Sequence, residues 1–461
     1  MTTQPSDLPN PLTKEKHPPG LYILFFTEMW ERFSYYGMRA MLVLYLTAAL
    51  ISGGLGFSES SAISVYGFFT GACYFTPLLG GYLTDRYLGR RKAITIGGIA
   101  IAIGNFALFA SQTVSALYIG LALIIIGNGF FKPNISTLVG DLYPKNDRRI
   151  DSAYTIFYMG INVGSLISPL ICGYLAEQYF KTSMMDTIVY GYKYGFLASS
   201  IGMVIGQIIF NMLAPRYLGD LGTKPVITMA SINKGGKKIT TPLTPKEKQR
   251  TAVILIITCF VIFFWAGFEQ AGSLLTLYTN QFIDKTIFGW EVPTSWFQSI
   301  NPAFVILLAP VVSTLWLKLS HRKRGDLSAP TKMGLGMILL GVGYTVLLMA
   351  VLRTGSDSAH ITEKANILFI IATYFFHTVG ELFLSPVGLS LVNKIAPVKL
   401  TSLLMGVWLA STGIANIVGG QFASKINTLG YFNVFSIIGG LSIALGLVLL
   451  MLSKTLTRMA K

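Results

Sequence analysis

Charge is what this chain is short of. Only 12% of its 461 residues are charged, against 52% hydrophobic and 13% aromatic. A soluble domain carries about 25% charged residues, so a soluble fold is excluded, and a mean hydropathy of +0.59 points to a polytopic membrane protein. Cysteine is scarce as well. Cys73, Cys172 and Cys259 all fall in apolar runs, which leaves no expectation of a disulfide framework or a metal site. No grouping of nucleophile, base and orienting residue is present, so an enzyme is not expected, nor a cofactor. Acids are fewer than bases, 20 against 36, for a net charge of +16. That balance could suit a nucleic acid, but the Lys and Arg residues gather in polar connections between alternate apolar runs. This is the distribution that sets orientation in a bilayer, so lipid is the expected partner and nucleic acid is not. Residues 1–20 read as a cytoplasmic N-terminal tail, because the first apolar run is charged and too long for a signal peptide.

What the chain has in quantity is long apolar runs, each read as a spanning helix. They lie at about 21–51, 60–88, 91–111, 114–142, 149–178, 191–214, 249–282, 295–318, 330–352, 364–394, 399–423 and 430–453. The expectation is an all-α membrane protein of twelve transmembrane helices in two six-helix bundles, residues 21–214 and 249–453. A basic linker, 215–248, joins them, and a tail, 454–461, follows. Arg86, Arg90, Arg91, Lys92, Lys145, Arg148, Lys318, Arg322 and Lys323 all fall on the side of the N-terminus. That places both termini and the linker in the cytoplasm of a cell membrane, bacterial by expectation.

Against this background the first run stands out. Glu28, Glu31, Arg32 and Arg39 sit where a spanning helix should carry no charge. A central charged residue costs roughly 2.5–3.5 kcal/mol on insertion scales, so such residues face a water-filled cavity or one another. Glu28, Arg32, Tyr35 and Arg39 fall at i, i+4, i+7 and i+11, one stripe of a helix, with Glu31 and Tyr35 on the neighbouring stripe. A self-neutralising ion pair is the plainer reading, but four charges in twelve residues exceed what packing needs.

Other polar residues punctuate later spans. Lys132 precedes Pro133, where a freed carbonyl and a charge together suit a cavity wall, or where the side chain snorkels to the headgroups. Asn162 lies among small residues and is either interhelical glue or a ligand contact. Glu269 and Gln270 follow Phe268; Asn301 precedes Pro302; His377, Glu381, Ser385 and Pro386 share one span. His377 reads as packed rather than as a proton relay, and Trp408 as core or pocket lining. Asp85, with Arg86 and Arg90, forms a candidate cytoplasmic latch between the second and third spans. At 1.5 Å per residue, Arg39 and Glu269 lie about 27 and 30 Å from the cytoplasmic starts of their helices. Lys132 and Glu381 lie about 27 and 26 Å from the outer starts of theirs. Opposite charges at matching depth suggest two gates, Arg39–Glu269 outside and Lys132–Glu381 inside.

The motif Glu28-x-x-Glu31-Arg32-Phe33-x-Tyr35-Tyr36-Gly37 resembles the signature of the proton-dependent oligopeptide transporter family of the major facilitator superfamily. The likeness extends to Asp85 and its loop, Phe131-Lys132-Pro133-Asn134, Phe157 to Leu166, Phe268-Glu269-Gln270 and Glu381-Leu382-x-x-Ser385-Pro386-x-Gly388. It implies symport of di- and tripeptides with protons by alternating access. Glu28, Glu31, Arg32 and Glu269 would couple the proton. Arg32 and Lys132 would meet the peptide carboxylate, and Glu381 with Asn162 and Asn301 its amine. Tyr35, Tyr36, Tyr74, Ser385 and Trp408 would line side-chain pockets. Many bacterial members insert two further helices between the halves; the polar linker here cannot hold them. The alternative is a proton-coupled carrier of another small solute, such as nitrate, an amino acid or a drug. A monomer is expected.

Overall fold

A computed structural model gives the architecture and describes residues 16–144, 147, 149–184, 187–225, 243–321, 326–355, 363–397 and 400–460. Lys145, Arg148, Arg322, Lys323, Arg324, Lys399 and most of the linker lie outside them. Twelve long helices are found among the described residues. The first six are α1 (Pro19–Thr47), α2 (Glu59–Leu83), α3 (Arg90–Ala110), α4 (Val114–Asp141), α5 (Ile150–Tyr174) and α6 (Tyr192–Leu218). The second six begin with α7, in two pieces, α7a (Pro245–Phe268) and α7b (Leu274–Phe282). They continue with α8 (Ile300–Ser320), α9 (Ala329–Thr354), α10 (Leu368–Ile395), α11 (Thr401–Ala423) and α12 (Ile426–Ala460). Eleven are long and apolar enough to cross a membrane. The other, α1, is 29 residues long and differs in carrying the charged stripe.

Side-chain chemistry sets the ends. Ser58, Thr113 and Ser328 each accept a backbone N–H at the start of α2, α4 and α9. Thr244 and Glu247 cap each other's backbone N–H at 3.2 and 2.8 Å, so α7a starts at Pro245, ahead of the apolar run. At the other side of the linker, α6 passes through Pro215 and ends at Leu218 instead of stopping at 214. Its last turn carries Leu218, buried against Gly20 of α1, and tertiary packing outweighs the proline.

The start of α1 and the end of α12 lie on one face of the molecule, called here the terminal face. Three short strand pairings occur on the opposite, far face: Thr182–Met184 with Thr187–Val189, Ile283–Asp284 with Ala365–Asn366, and Thr286–Ile287 with Trp290–Glu291. The halves meet along two seams. In one, Gly67 of α2 lies against the backbone of Gly420 of α11, and Thr70 donates to Asn416 Oδ1 at 2.8 Å. In the other, Ser299 and Trp296, just before α8, donate to the carbonyls of Leu166 and Leu170 in α5 at 2.7 and 2.9 Å.

Candidate functional site

The charged stripe of α1 is buried inside the first half. Glu28, Glu31 and Arg32 are 2%, 0% and 4% exposed. Arg32 Nε lies 3.0 Å from Glu28 Oε1 and 2.5 Å from Glu31 Oε2. These are ion-pair distances but not aligned hydrogen bonds. Both oxygens of Glu31, one of Glu28, and Nε and Nη2 of Arg32 are buried without a hydrogen-bond partner among the described residues. A buried polar atom so placed demands an explanation. Two carboxylates sharing one guanidinium form a group able to take up a proton as the pairing changes.

Beside it lies a cavity of about 370 Å³ between the halves, within the range of about 300–1,000 Å³ common for small-molecule sites. Lys132 and Glu381 both line it. The Lys132 ammonium sits 4.4 Å from the centroid of the Tyr74 ring and makes no ion pair among the described residues. Glu381 accepts a hydrogen bond of 2.9 Å from Asn301 Nδ2, which also donates to Thr378 Oγ1 at 3.0 Å. A cation and an anion thus face one space from different halves without joining. Tyr36, Asn162, Ser385 and Trp408 complete the wall, as the sequence suggested, together with Tyr158, Trp265 and Tyr374, which it did not single out.

The other candidate residues are placed as their local contacts dictate. Tyr35 does not line the cavity; it is 5% exposed, with its ring stacked 6.2 Å from that of Phe69 in α2. Arg32 likewise lies behind the wall, covered by its own acids. Asn162 bonds the carbonyl of Tyr158 in its own helix at 3.0 Å, so its side-chain nitrogen is not spent on gluing helices together. His377 is packed, its ring 4.9 Å from that of Tyr344 and 6.4 Å from that of Phe268. Trp408 is 5% exposed and lies across Gly388, where any Cβ would collide with its ring. Near the terminal face Arg90 pairs with Asp141 of α4 and Arg86 donates to the Tyr82 hydroxyl at 2.8 Å. Asp85 makes no ion pair among the described residues, so the latch is not formed in this conformation.

The far side of the cavity is closed. Arg39 of α1 and Glu269 of α7 form an ion pair, and Arg39 Nε donates to the Tyr66 hydroxyl of α2. Glu269 begins a tight 3-10 turn, Glu269–Gly272, and α7 is interrupted just after it, where Ser273 leaves helical torsions (φ −128°, ψ −87°). Gly272 is required there, because a side chain would strike the Tyr66 hydroxyl. Two further closures went unread in the sequence. Glu177, in the wide helical turn Leu175–Tyr179 after α5, accepts the backbone N–H groups of Thr294 and Ser295 at 2.6 and 2.9 Å. Glu59 of α2 accepts from Gln281 Nε2 at 2.5 Å and from the Tyr431 hydroxyl at 2.9 Å. No sequence motif marks either acid.

A model of the POT family matches residues 91–220 and 220–436. The uncharacterized transporter YclF of Bacillus subtilis is 35% identical, covering 96% of this chain and 95% of that protein. A di-/tripeptide transporter of Lactococcus lactis is 30% identical over 96% of each chain. Among solved structures, a mutant of peptide transporter POT in complex with alafosfalin superposes with a TM-score of 0.85 at 31% identity, covering 96% of each chain.

Proposed function

Because the chain belongs to the POT family, we propose that it imports di- and tripeptides together with protons by alternating access. The observation that carries this reading is the pair of unjoined opposite charges, Lys132 and Glu381, across one cavity of about 370 Å³. A short peptide is a zwitterion whose ends are fixed in charge while its side chains vary. Glu381, held by Asn301, takes the amine. Lys132 takes the carboxylate, with Arg32 reached when the wall rearranges. The aromatic and small polar lining between them, Tyr36, Tyr74, Tyr158 and Trp408, accepts side chains without reading them closely.

The terminal face is assigned to the cytoplasm by the distribution of basic residues, so the cavity closed by Arg39–Glu269 is open inward. In the outward-open state that pair separates and Lys132 and Glu381 join below the peptide. Glu28 and Glu31, sharing Arg32, and Glu269, sharing Arg39, are the proton-coupling acids. A carboxylate that loses its cation in a site poor in water takes up a proton, and re-pairing expels it. The protein acts as a monomer in the bacterial cell membrane, with protons as its coupling ion and no cofactor.

The test is uptake of labelled dialanine into proteoliposomes. Uptake should rise when the outside is made acidic and should be competed by trialanine but not by free alanine or nitrate. Competition by nitrate or free alanine, with no effect of trialanine, would transfer the chain to carriers of another small solute.

A further inference from the structure

Beyond the central cavity a second space of about 740 Å³ continues toward the terminal face. The two share Tyr158, Val305, Glu381, Ser385 and Leu389 in their walls. The second is bounded by α8, α9 and α10 and reaches Leu327 and Ala329 at the start of α9 and Lys394 near the end of α10.

A cation is built into this space. Lys332, in the first turns of α9, is 7% exposed, and its ammonium lies 4.3 Å from the centroid of the Trp316 ring. Its carboxylate partner, Asp326 Oδ2 at 2.6 Å, comes from the connection before α9 and is 39% exposed on its side chain. The Trp316 indole N–H is buried and has no hydrogen-bond partner among the described residues. Lys332 and Trp316 therefore line the same space, the ammonium held by a half-exposed acid and the indole N–H buried just behind the wall with its hydrogen bond unspent. Height can be read from helix packing. Gly336 and Gly380 meet backbone to backbone between α9 and α10, so Glu381 lies at that level. Lys332 lies four residues, about 6 Å, nearer the terminal face. Trp316 packs edge-on against Phe383, ring centroids 4.6 Å apart, two residues beyond Glu381.

We propose that Lys332 and the Trp316 N–H form a release-side subsite for a carboxylate of the departing peptide, which displaces Asp326 while the amine is still held at Glu381. The inference rests on the peptide-symport reading above and adds a station to it. The peptide leaves the Lys132 side of the clamp first and turns about its amine. Its negative end is then handed to a second cation one helical turn closer to the cytoplasm. Asp326 acts as the competing anion that clears the subsite, so that release is not slowed by a second tight grip.

The experiment compares half-saturation for peptide on the two sides of proteoliposomes of known orientation, by uptake from outside and by efflux from a loaded interior, using dialanine. Lys332→Gln should raise the ratio of internal to external half-saturation roughly three- to tenfold, the size expected for losing one partly hydrated charged contact. Trp316→Phe, which keeps the ring and removes only the N–H, should raise it by a smaller factor. Asp326→Asn should lower it, because the competitor is gone. Opposite signs for Lys332→Gln and Asp326→Asn separate a binding role from a merely structural ion pair, whose two halves would fail together. If Lys332→Gln does not fold, Trp316→Phe and Asp326→Asn decide alone. An unchanged ratio, a change of the same sign in Lys332→Gln and Asp326→Asn, or an effect confined to the external side overturns the proposal. The amide of dialanine, lacking the carboxylate, should be insensitive to all three changes, and a glutamate side chain at the second position should restore sensitivity. If the unaltered chain moved no dialanine, the symport reading would fail instead, so the two failures are distinguishable.

Discussion

Replacing Glu177 by Ala removes a carboxylate of the first half that sits on two backbone N–H groups of the second. Both oxygens are used, at 2.6 and 2.9 Å, and the side chain is nearly sealed from water. A hydrogen bond to a charged group contributes about 1.5–3 kcal/mol net. Two of them, less the hydration the carboxylate regains when the seam opens, give about 3 kcal/mol to the state closed at the far face. At 1.4 kcal/mol per tenfold, the variant should shift the ratio of molecules closed at the far face to those open there roughly a hundredfold toward open. Glu177→Gln should fall between, since its amide oxygen can still accept one N–H while its nitrogen cannot. The shift is measurable with spin labels at Leu50 and Phe288, exposed far-face positions in different halves. Their distance distribution should move to longer values in Ala and partly so in Gln. A distribution identical to that of the unaltered protein, in a variant that remains folded and monodisperse, would show that this contact contributes nothing to closure and refute the argument.

Arg39→Glu and Glu269→Arg should each abolish peptide accumulation, and the exchanged pair should restore part of it; the same swap of Lys132 and Glu381 tests the inner gate, which is abandoned if the double variant recovers nothing. Glu28→Gln and Glu31→Gln should lose acid-driven uptake yet retain counterflow, in which peptide exchanges for peptide without net proton movement. Undiminished accumulation under a proton gradient in both would rule out this coupling route. Gly388→Ala should push Trp408 into the cavity, an overpacking that costs about 1–3 kcal/mol, and should weaken peptide binding about tenfold by isothermal titration; equal affinity would mean that the ring moves aside freely.

Much of this architecture was legible because burial in lipid imposes a length and a composition on every span, and the twelve runs could be read without any contact being known. The Arg39–Glu269 pair was legible for a related reason: charges are so rare at depth that two of opposite sign at one level have few other places to go. Lys132 and Glu381 were matched by the same argument and do border one cavity, yet they stand apart. One sequence serves two conformations, and depth alone cannot say which pair is closed. Tyr35 was misplaced because its stripe on α1 faces both cavity and α2, and only the position of Phe69 decides between them. Glu177 was unreadable for a different reason. Its partners are main-chain N–H groups more than a hundred residues away, and a main-chain donor leaves no trace in side-chain pattern. Lys332 was not singled out at all, because one lysine in the first turns of a span carries no motif and its partners Trp316 and Asp326 come from elsewhere in the chain.

The joint in α7 bears on how the cycle is staged. Glu269–Gly272 is a single 3-10 turn and Ser273 after it is not helical, so α7b is connected to α7a by a short joint rather than by a continuous rod. The outer piece can tilt like a flap over a captured solute while the rest of its bundle stays in register. Capture and translocation then become separable motions, and a molecule with its mouth shut but its halves not yet swung is an intermediate that the backbone itself allows.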